Sequence, residues 1–193
     1  IYMSNIKIFC TSTKYYKIID KLPNYIYPLG LGNKTFPSNW YDEKKGKNIT
    51  NLNSYYGELT GIYWIWKNMA NNMNENEIIG NCHYRKLWLD ELYEKKQKLS
   101  YQSLYKNLLK IDLEKFKQID AIQVQPVVFK KKNLLEDFFE IHKSEILYDS
   151  LKFLDSNNRN LFLAHLKEKT FYPLNMFITK VSIFNKYCET LFP

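Results

Sequence analysis

A chain of 193 residues with 45% apolar side chains can bury a substantial core and is too apolar to remain disordered. Its 28 lysines and arginines against 20 acids leave a net charge of +8, which favours anionic partners: nucleic acid, acidic membrane or phosphorylated substrate. No apolar run reaches the roughly 18–20 residues of a membrane span, no cleavable leader pattern precedes Ile6–Cys10, and three widely spaced cysteines (Cys10, Cys82, Cys188) argue against a disulfide framework or zinc site. They fit a reducing, cytoplasmic compartment.

In chain order, Ile6 to Cys10 reads as a first strand, β-branched and apolar, followed by polar Thr11-Ser12-Thr13. Such a turn in an α/β domain either meets a nucleotide or is an ordinary loop. Residues 20 to 53 carry Pro23, Pro28, Gly30, Gly32, Pro37 and Gly46 and read as irregular. A loop of that length in a compact domain is usually functional, and it is expected to fold over a ligand crevice. Ser54 is a good N-cap for a helix running to about Asn71, with Leu59, Ile62, Tyr63, Trp66 and Met69 at core spacing. Glu77 to Cys82 reads as a buried strand. A helix is expected around Tyr101 to Leu109, a strand at Ala121–Gln125 stopped by Pro126, and helices at Leu134–His142, Glu145–Leu154 and Asn160–Leu166. A short strand from Asn175 to Ile178 and a helix from Ser182 to Leu191 close the pattern. Strands and helices alternate, so the expected fold class is α/β: one domain over 1–193, with a mostly parallel central sheet flanked by helices.

The densest group of chemically capable side chains ends the strand at 77–82: His83-Tyr84-Arg85-Lys86. In an extended chain His83 and Arg85 point to one side and Tyr84 and Lys86 to the other. That pairing suits a diphosphate, with Arg85 binding bidentately and His83 by hydrogen bond or metal ligation. The bland alternative is a structural histidine and a surface ion pair. Glu58 heads an aromatic helix, where it either answers the helix dipole or accepts from a sugar hydroxyl. Trp64 and Trp66 read as core. Asn175 either holds an acceptor hydroxyl or caps a turn. The richness in Tyr and Phe rises together with Asn, Lys and Ile, as AT-rich coding produces, and carries no weight for stacking. The basic run Lys130-Lys131-Lys132 reads as a solvated loop, and no nucleic-acid-binding motif accompanies the charge. There is no Gly-rich phosphate loop, no zinc-spaced cluster and no Asp-x-Asp pair after a strand.

Several segments together resemble a known family: Asn48-Ile49-Thr50 with Asn53, then Gly57-Glu58-Leu59-Thr60-Gly61-Ile62-Tyr63-Trp64-Ile65-Trp66-Lys67-Asn68, then His83-Tyr84-Arg85-Lys86, and late Asn175-Met176-Phe177-Ile178. They are similar to the domain of unknown function found in bacterial capsular and exopolysaccharide biosynthesis proteins, taken to be glycosyltransferases. The family's second arginine after His-Tyr-Arg is Lys86 here, which keeps the charge and loses the planar fork. The family also continues past Leu191-Phe192-Pro193, so the resemblance implies a segment missing at the C-terminal end.

The resemblance implies a GT-A-like nucleotide-binding sandwich that moves a sugar from a nucleotide-diphosphate donor to a lipid-linked or polysaccharide acceptor, working in the cytoplasm against the anionic inner membrane face. The alternative is a non-catalytic nucleotide-sugar or carbohydrate-binding module. On this reading His83 and Arg85 meet the diphosphate with Lys86 adding field, Thr11 and Ser12 approach the nucleotide, and Glu58, Thr60 and Tyr84 line the donor. Asn175 lines the acceptor side and Glu189 is the candidate base. A divalent cation, Mn²⁺ or Mg²⁺, held partly by His83, and stabilisation by protein cations alone are both compatible with this pattern.

Overall fold

The two strongest strand signals lie side by side at the centre of the sheet. A computed structural model describes residues 5–90, 106–143 and 145–192. They form two compact units, one made of the chain up to Gln123 together with the segment from Met176, the other of Val124–Asn175. The strands are β1 (Ile6–Ser12), β2 (Ile26–Gly30), β3 (Tyr41–Asp42), β4 (Ile78–His83), β5 (Ala121–Gln123), β6 (Val127–Val128), β7 (Thr170–Phe171) and β8 (Phe177–Lys180). The helices are α1 (Asn53–Tyr56), α2 (Leu59–Asn68), α3 (Leu113–Phe116), α4 (Leu134–His142), α5 (Ile146–Ser150), α6 (Ser156–Leu166) and α7 (Val181–Leu191).

The first unit holds a six-stranded sheet in the order β3-β2-β1-β4-β8-β5. Strands β1 to β4 run parallel, and only β8 runs against its neighbours β4 and β5. The expected mostly parallel α/β architecture is therefore the observed one. β1 is longer than its apolar run, because Thr11 and Ser12 stay in register with Leu29 and Gly30 of β2, and Thr11 also with His83 of β4. Two polar side chains hid the last residues of a strand whose backbone bonds to neighbours on both sides.

The segment 20–53, expected to be irregular, contributes β2 and β3. Its Pro28 sits within β2 without cost. Ile8 donates to Tyr25 O and Leu31 donates to Ser12 O, so the odd residues of β2 bond to β1. By alternation Pro28, which has no N–H, faces the other edge, where β3 pairs only with Leu29 and Gly30.

Period-2 alternation places Phe9, Leu29 and Ile79 on one face of the sheet. There they meet Ile62 and Ile65 of α2 and Val181 and Phe184 of α7 in one buried cluster. Each of these side chains contributes about 1.5–3 kcal/mol by leaving water. The single helix expected from Ser54 is broken: Gly57 adopts φ +55°, ψ −125°, donating to Asn53 O to close α1 before α2 begins. Gly61 allows α2 to approach closely, since a Cβ there would lie 2.8 Å from Leu31 Cδ2 and 3.4 Å from Thr11 Cγ2. The helix expected at Tyr101–Leu109 falls mainly outside the described residues. At its end the chain is extended instead, with Leu108 bridged to Leu89.

In the second unit β6 and β7 pair antiparallel. Helix α4 begins in a capping box, Asn133 accepting from Glu136 N–H while Glu136 accepts from Asn133 N–H. Asp155 caps α6 by accepting from Asn157 and Asn158, so that helix starts four residues earlier than its apolar pattern suggests. The last strand likewise begins at Phe177 rather than Asn175.

Candidate functional site

The face of the sheet that carries Phe9 and Ile79 ends, two and four residues on, in Thr11 and His83. These two are direct register partners at the carboxyl ends of β1 and β4, the end of a parallel sheet where ligand crevices form. Thr11 Oγ1 donates to Cys82 O (3.2 Å) and lies 3.1 Å from His83 Nδ1. The hydroxyl oxygen accepts from Nδ1–H or turns its one proton to Nδ1, according to the tautomer of the ring. The other ring nitrogen, Nε2, is 3.0 Å from Glu58 Oε2. Nε2 is buried and makes no hydrogen bond within the protein.

Glu58 occupies the N-cap position of α2 but caps no backbone N–H with its side chain. It projects instead toward His83, because α2 packs on the same sheet face and Gly61 brings its first turn against Thr11. The positive end of α2 favours a carboxylate at this point. Nearby, burial pushes the Tyr187 hydroxyl up, with the charges of Cys188 and Glu58 adding. A second group stands beside the first: the Tyr16 and Tyr84 rings stack at 4.7 Å and 11°, and the Arg85 guanidinium lies 5.0 Å from the Tyr84 ring.

The alternation expected for His83 and Arg85 does not hold. His83 N–H donates to Lys86 O (3.0 Å) and Lys86 N–H donates back to His83 O (2.9 Å), so Tyr84 and Arg85 form the corner of a tight turn. A turn cancels the period-2 rule. His83 is half-buried against Glu58, whereas Arg85 and Lys86 are exposed.

Three residues read as substrate-binding are buried and hydrogen-bonded within the protein. Ser12 is buried, donating to Lys14 O (2.5 Å) and accepting from Lys14 N–H. Thr11 is buried, its hydroxyl lying against Cys82 O and His83 Nδ1. Thr60, 1% exposed, donates to Glu43 Oε2 (2.7 Å) and accepts from Asn53 Nδ2 (2.8 Å). Glu189 is exposed on α7. It follows Tyr187 by two positions, about 200° round the helix from the side chain that senses Glu58. Asn175 is exposed as the last residue of the second unit, apart from the strand that was expected to carry it.

Glu43 is the residue that pattern reading missed. It is fully buried, accepts from Gly32 N–H and Thr60, and its backbone carbonyl accepts from Thr50 (3.2 Å). Burial raises its carboxyl above the ordinary value, with the Gly32 and Thr60 hydrogen bonds opposing. Below it the stripe Thr60, Trp64, Asn68, spaced by four on α2, holds one stretch of loop. Trp64 Nε1 donates to Lys45 O (2.6 Å), and Asn68 exchanges bonds with the N–H and C=O of Lys47 (2.9 and 2.7 Å). Much of the motif therefore clamps the 43–47 loop onto α2. The visible signal was the polar Thr and Asn at helical spacing beside Trp64, and it names no partner.

Among the described residues no three His, Cys, Asp or Glu side chains converge to hold a metal ion. His83 Nε2 and Glu58 supply two donors, so a cation there would need further ligands from the substrate.

Residues 7–193 match a protein family described as a domain of unknown function, DUF4422. No curated protein matches the chain. Among solved structures, the apo form of a bifunctional glycosyltransferase, WbbM, is similar with a TM-score of 0.72 and 20% identity. The likeness covers 97% of this chain and 36% of that one, and at this identity it is a likeness of fold.

Proposed function

The chain belongs to the DUF4422 family, and on that premise we propose that it is a glycosyltransferase domain that passes a sugar from a nucleotide-diphosphate donor to a surface-glycan acceptor. The observation that carries this reading is the Thr11–His83–Glu58 cluster at the carboxyl ends of two parallel strands, in a fold shared with a glycosyltransferase structure. In the reaction an acceptor hydroxyl attacks the anomeric carbon, its proton passes to a base, and the bond to the diphosphate breaks with its electron pair on the departing oxygen. The leaving charge needs preorganised positive groups. Arg85 and Lys86, on an exposed turn, supply that charge, and His83 stands beside them as a hydrogen-bonding group. The carboxylate beside the imidazole, Glu58, takes the base role in preference to Glu189, which points elsewhere on its helix. Tyr84 offers a ring face to the donor. A divalent cation would neutralise the diphosphate, with His83 and Glu58 as its protein ligands; the acid–base and positioning roles stand without it.

Release of nucleoside diphosphate from a panel of UDP- and GDP-sugars tests this proposal, with His83→Ala and Glu58→Gln as controls. Turnover that drops at least about a hundredfold in both variants, with unchanged melting, supports it. Nucleotide-sugar binding without turnover assigns the domain to recognition alone, and undiminished turnover in His83→Ala removes the cluster from the chemistry.

A further inference from the structure

Glu58 follows a corner of the chain that side-chain packing does not hold. Helix α1, which leads into it, has no buried residue. Tyr55 is 85% exposed and Tyr56 50%, and a Cβ on Gly57 would meet nothing within 4 Å. Gly57 at φ +55°, ψ −125° followed by Glu58 at φ −65°, ψ −17° is the dihedral pair of a type II′ turn. Glycine enters that conformation freely, and apolar burial does nothing to keep the turn where it is. Hydrogen bonds must therefore fix it.

Asn53 supplies them. Its backbone oxygen accepts from Gly57 N–H (2.8 Å) and its side-chain Nδ2 donates to Gly57 O (3.0 Å), so one residue grips both polar groups of the turn glycine. The other Nδ2 hydrogen goes to Thr60 Oγ1 (2.8 Å), which donates in turn to the fully buried Glu43 (2.7 Å). The amide is thus anchored in the interior by one hydrogen and holds the surface turn with the other. Gly57 O belongs to the peptide plane that carries the nitrogen and Cα of Glu58. Fixing that plane fixes the direction in which the Glu58 side chain leaves the backbone. That side chain caps no N–H of α2 and sets its Oε2 3.0 Å from His83 Nε2.

We propose that Asn53 is a positioning residue for the base: through the Gly57–Glu58 peptide it aims the Glu58 carboxylate at His83. This inference rests on the base role given to Glu58 under the proposed function. Asn53 acts through the backbone and not by contact with the imidazole. A base swung off its line to the acceptor proton loses rate, because proton transfer depends on hydrogen-bond reach. Donor binding, made by other groups, is kept. The same bonds tie the site to the clamp beneath it, since Thr60 serves both Asn53 and Glu43.

The experiment reads the His83 ring ¹⁵N resonances at one pH in variants of the full chain, alongside melting and steady-state kinetics. The chain has three histidines, and His83→Ala assigns the signal by removing it. Glu58→Gln gives the change that loss of the carboxylate produces. Asn53→Ala and Gly57→Ala, which disturb the turn by separate routes, should move the ring resonances in that same direction with the fold retained. Asn68→Ala cuts the bonds from α2 to Lys47 (2.9 and 2.7 Å) without touching Gly57, so it should lower melting and leave the resonances in place. With a nucleotide sugar that turns over, kcat should fall at least about tenfold in Asn53→Ala while donor KM holds. Resonances unmoved in both Asn53→Ala and Gly57→Ala, or moved equally by Asn68→Ala, overturn the proposal, as does a raised donor KM at unchanged kcat. The resonance comparison needs no donor, so it decides the positioning by itself, whereas a parent chain without turnover counts against the transfer reading alone.

Discussion

Replacing Thr60 by valine separates clamping from substrate binding. Valine keeps the shape and removes the hydroxyl that donates to Glu43 (2.7 Å) and accepts from Asn53 (2.8 Å). The site is 1% exposed, so water cannot replace the lost partner. A buried hydrogen bond to a carboxyl group, lost with its partner left in place, costs about 2–3 kcal/mol. For a domain of this size each kcal/mol lowers Tm by about 2–4 °C, so Thr60→Val should melt roughly 5–10 °C below the parent in calorimetry. Thr60→Ser, which keeps the hydroxyl and loses a methyl, should cost only about 1 kcal/mol. Nucleotide-sugar KM at a temperature where both proteins are folded should not change. A valine variant that melts with the parent but binds donor poorly would refute the clamp and return Thr60 to the substrate side.

Three further outcomes follow from the same geometry. Glu43, its carboxyl raised by burial above 4.5, contributes stability that is complete below that value and lost as pH rises through its folded value. Urea midpoints of Glu43→Gln relative to the parent should therefore improve as pH rises through that window, and a pH-independent difference would contradict the assignment. Long-range ¹H–¹⁵N spectra of His83 should show the same tautomer balance in the parent and in Thr11→Ser, and a changed one in Thr11→Val. An unaltered spectrum in the valine variant would mean that Thr11 does not orient the ring. Gly57→Ala meets nothing within 4 Å, so its cost is purely that of the backbone at φ +55°, about 1–3 kcal/mol by urea unfolding.

The legible parts of this chain are those in which neighbours along the sequence carry the information. Ile6–Cys10 and Glu77–Cys82 read as buried strands because an apolar run covered on both faces needs no alternation. The helix bearing Ile62 and Trp66 and the closing helix bearing Phe184 read from 3.6-residue spacing. The polar cluster at His83 was legible as a strand end, and its coincidence with Glu58 in one family-like pattern was legible as a pairing without geometry.

β2 was not legible, because Pro28 and Gly30 are turn residues until it is known which edge of the strand goes unpaired. The placement of Arg85 was misread because alternation presumes an extended chain, and two backbone hydrogen bonds between His83 and Lys86 make a turn. Glu43 carried no local sign at all: its partners Gly32, Asn53 and Thr60 lie 10 to 17 residues away.

Composition and periodicity thus determined the class of fold, the central strands and the side chains capable of chemistry. The tertiary structure alone decided which of them act together. Burial and local propensity depend on residues a few positions apart, whereas the meeting of Thr11, Glu58 and His83 depends on strand register and on the close approach that Gly61 allows. Those are contacts across 25 to 72 residues, and no window along the chain contains them.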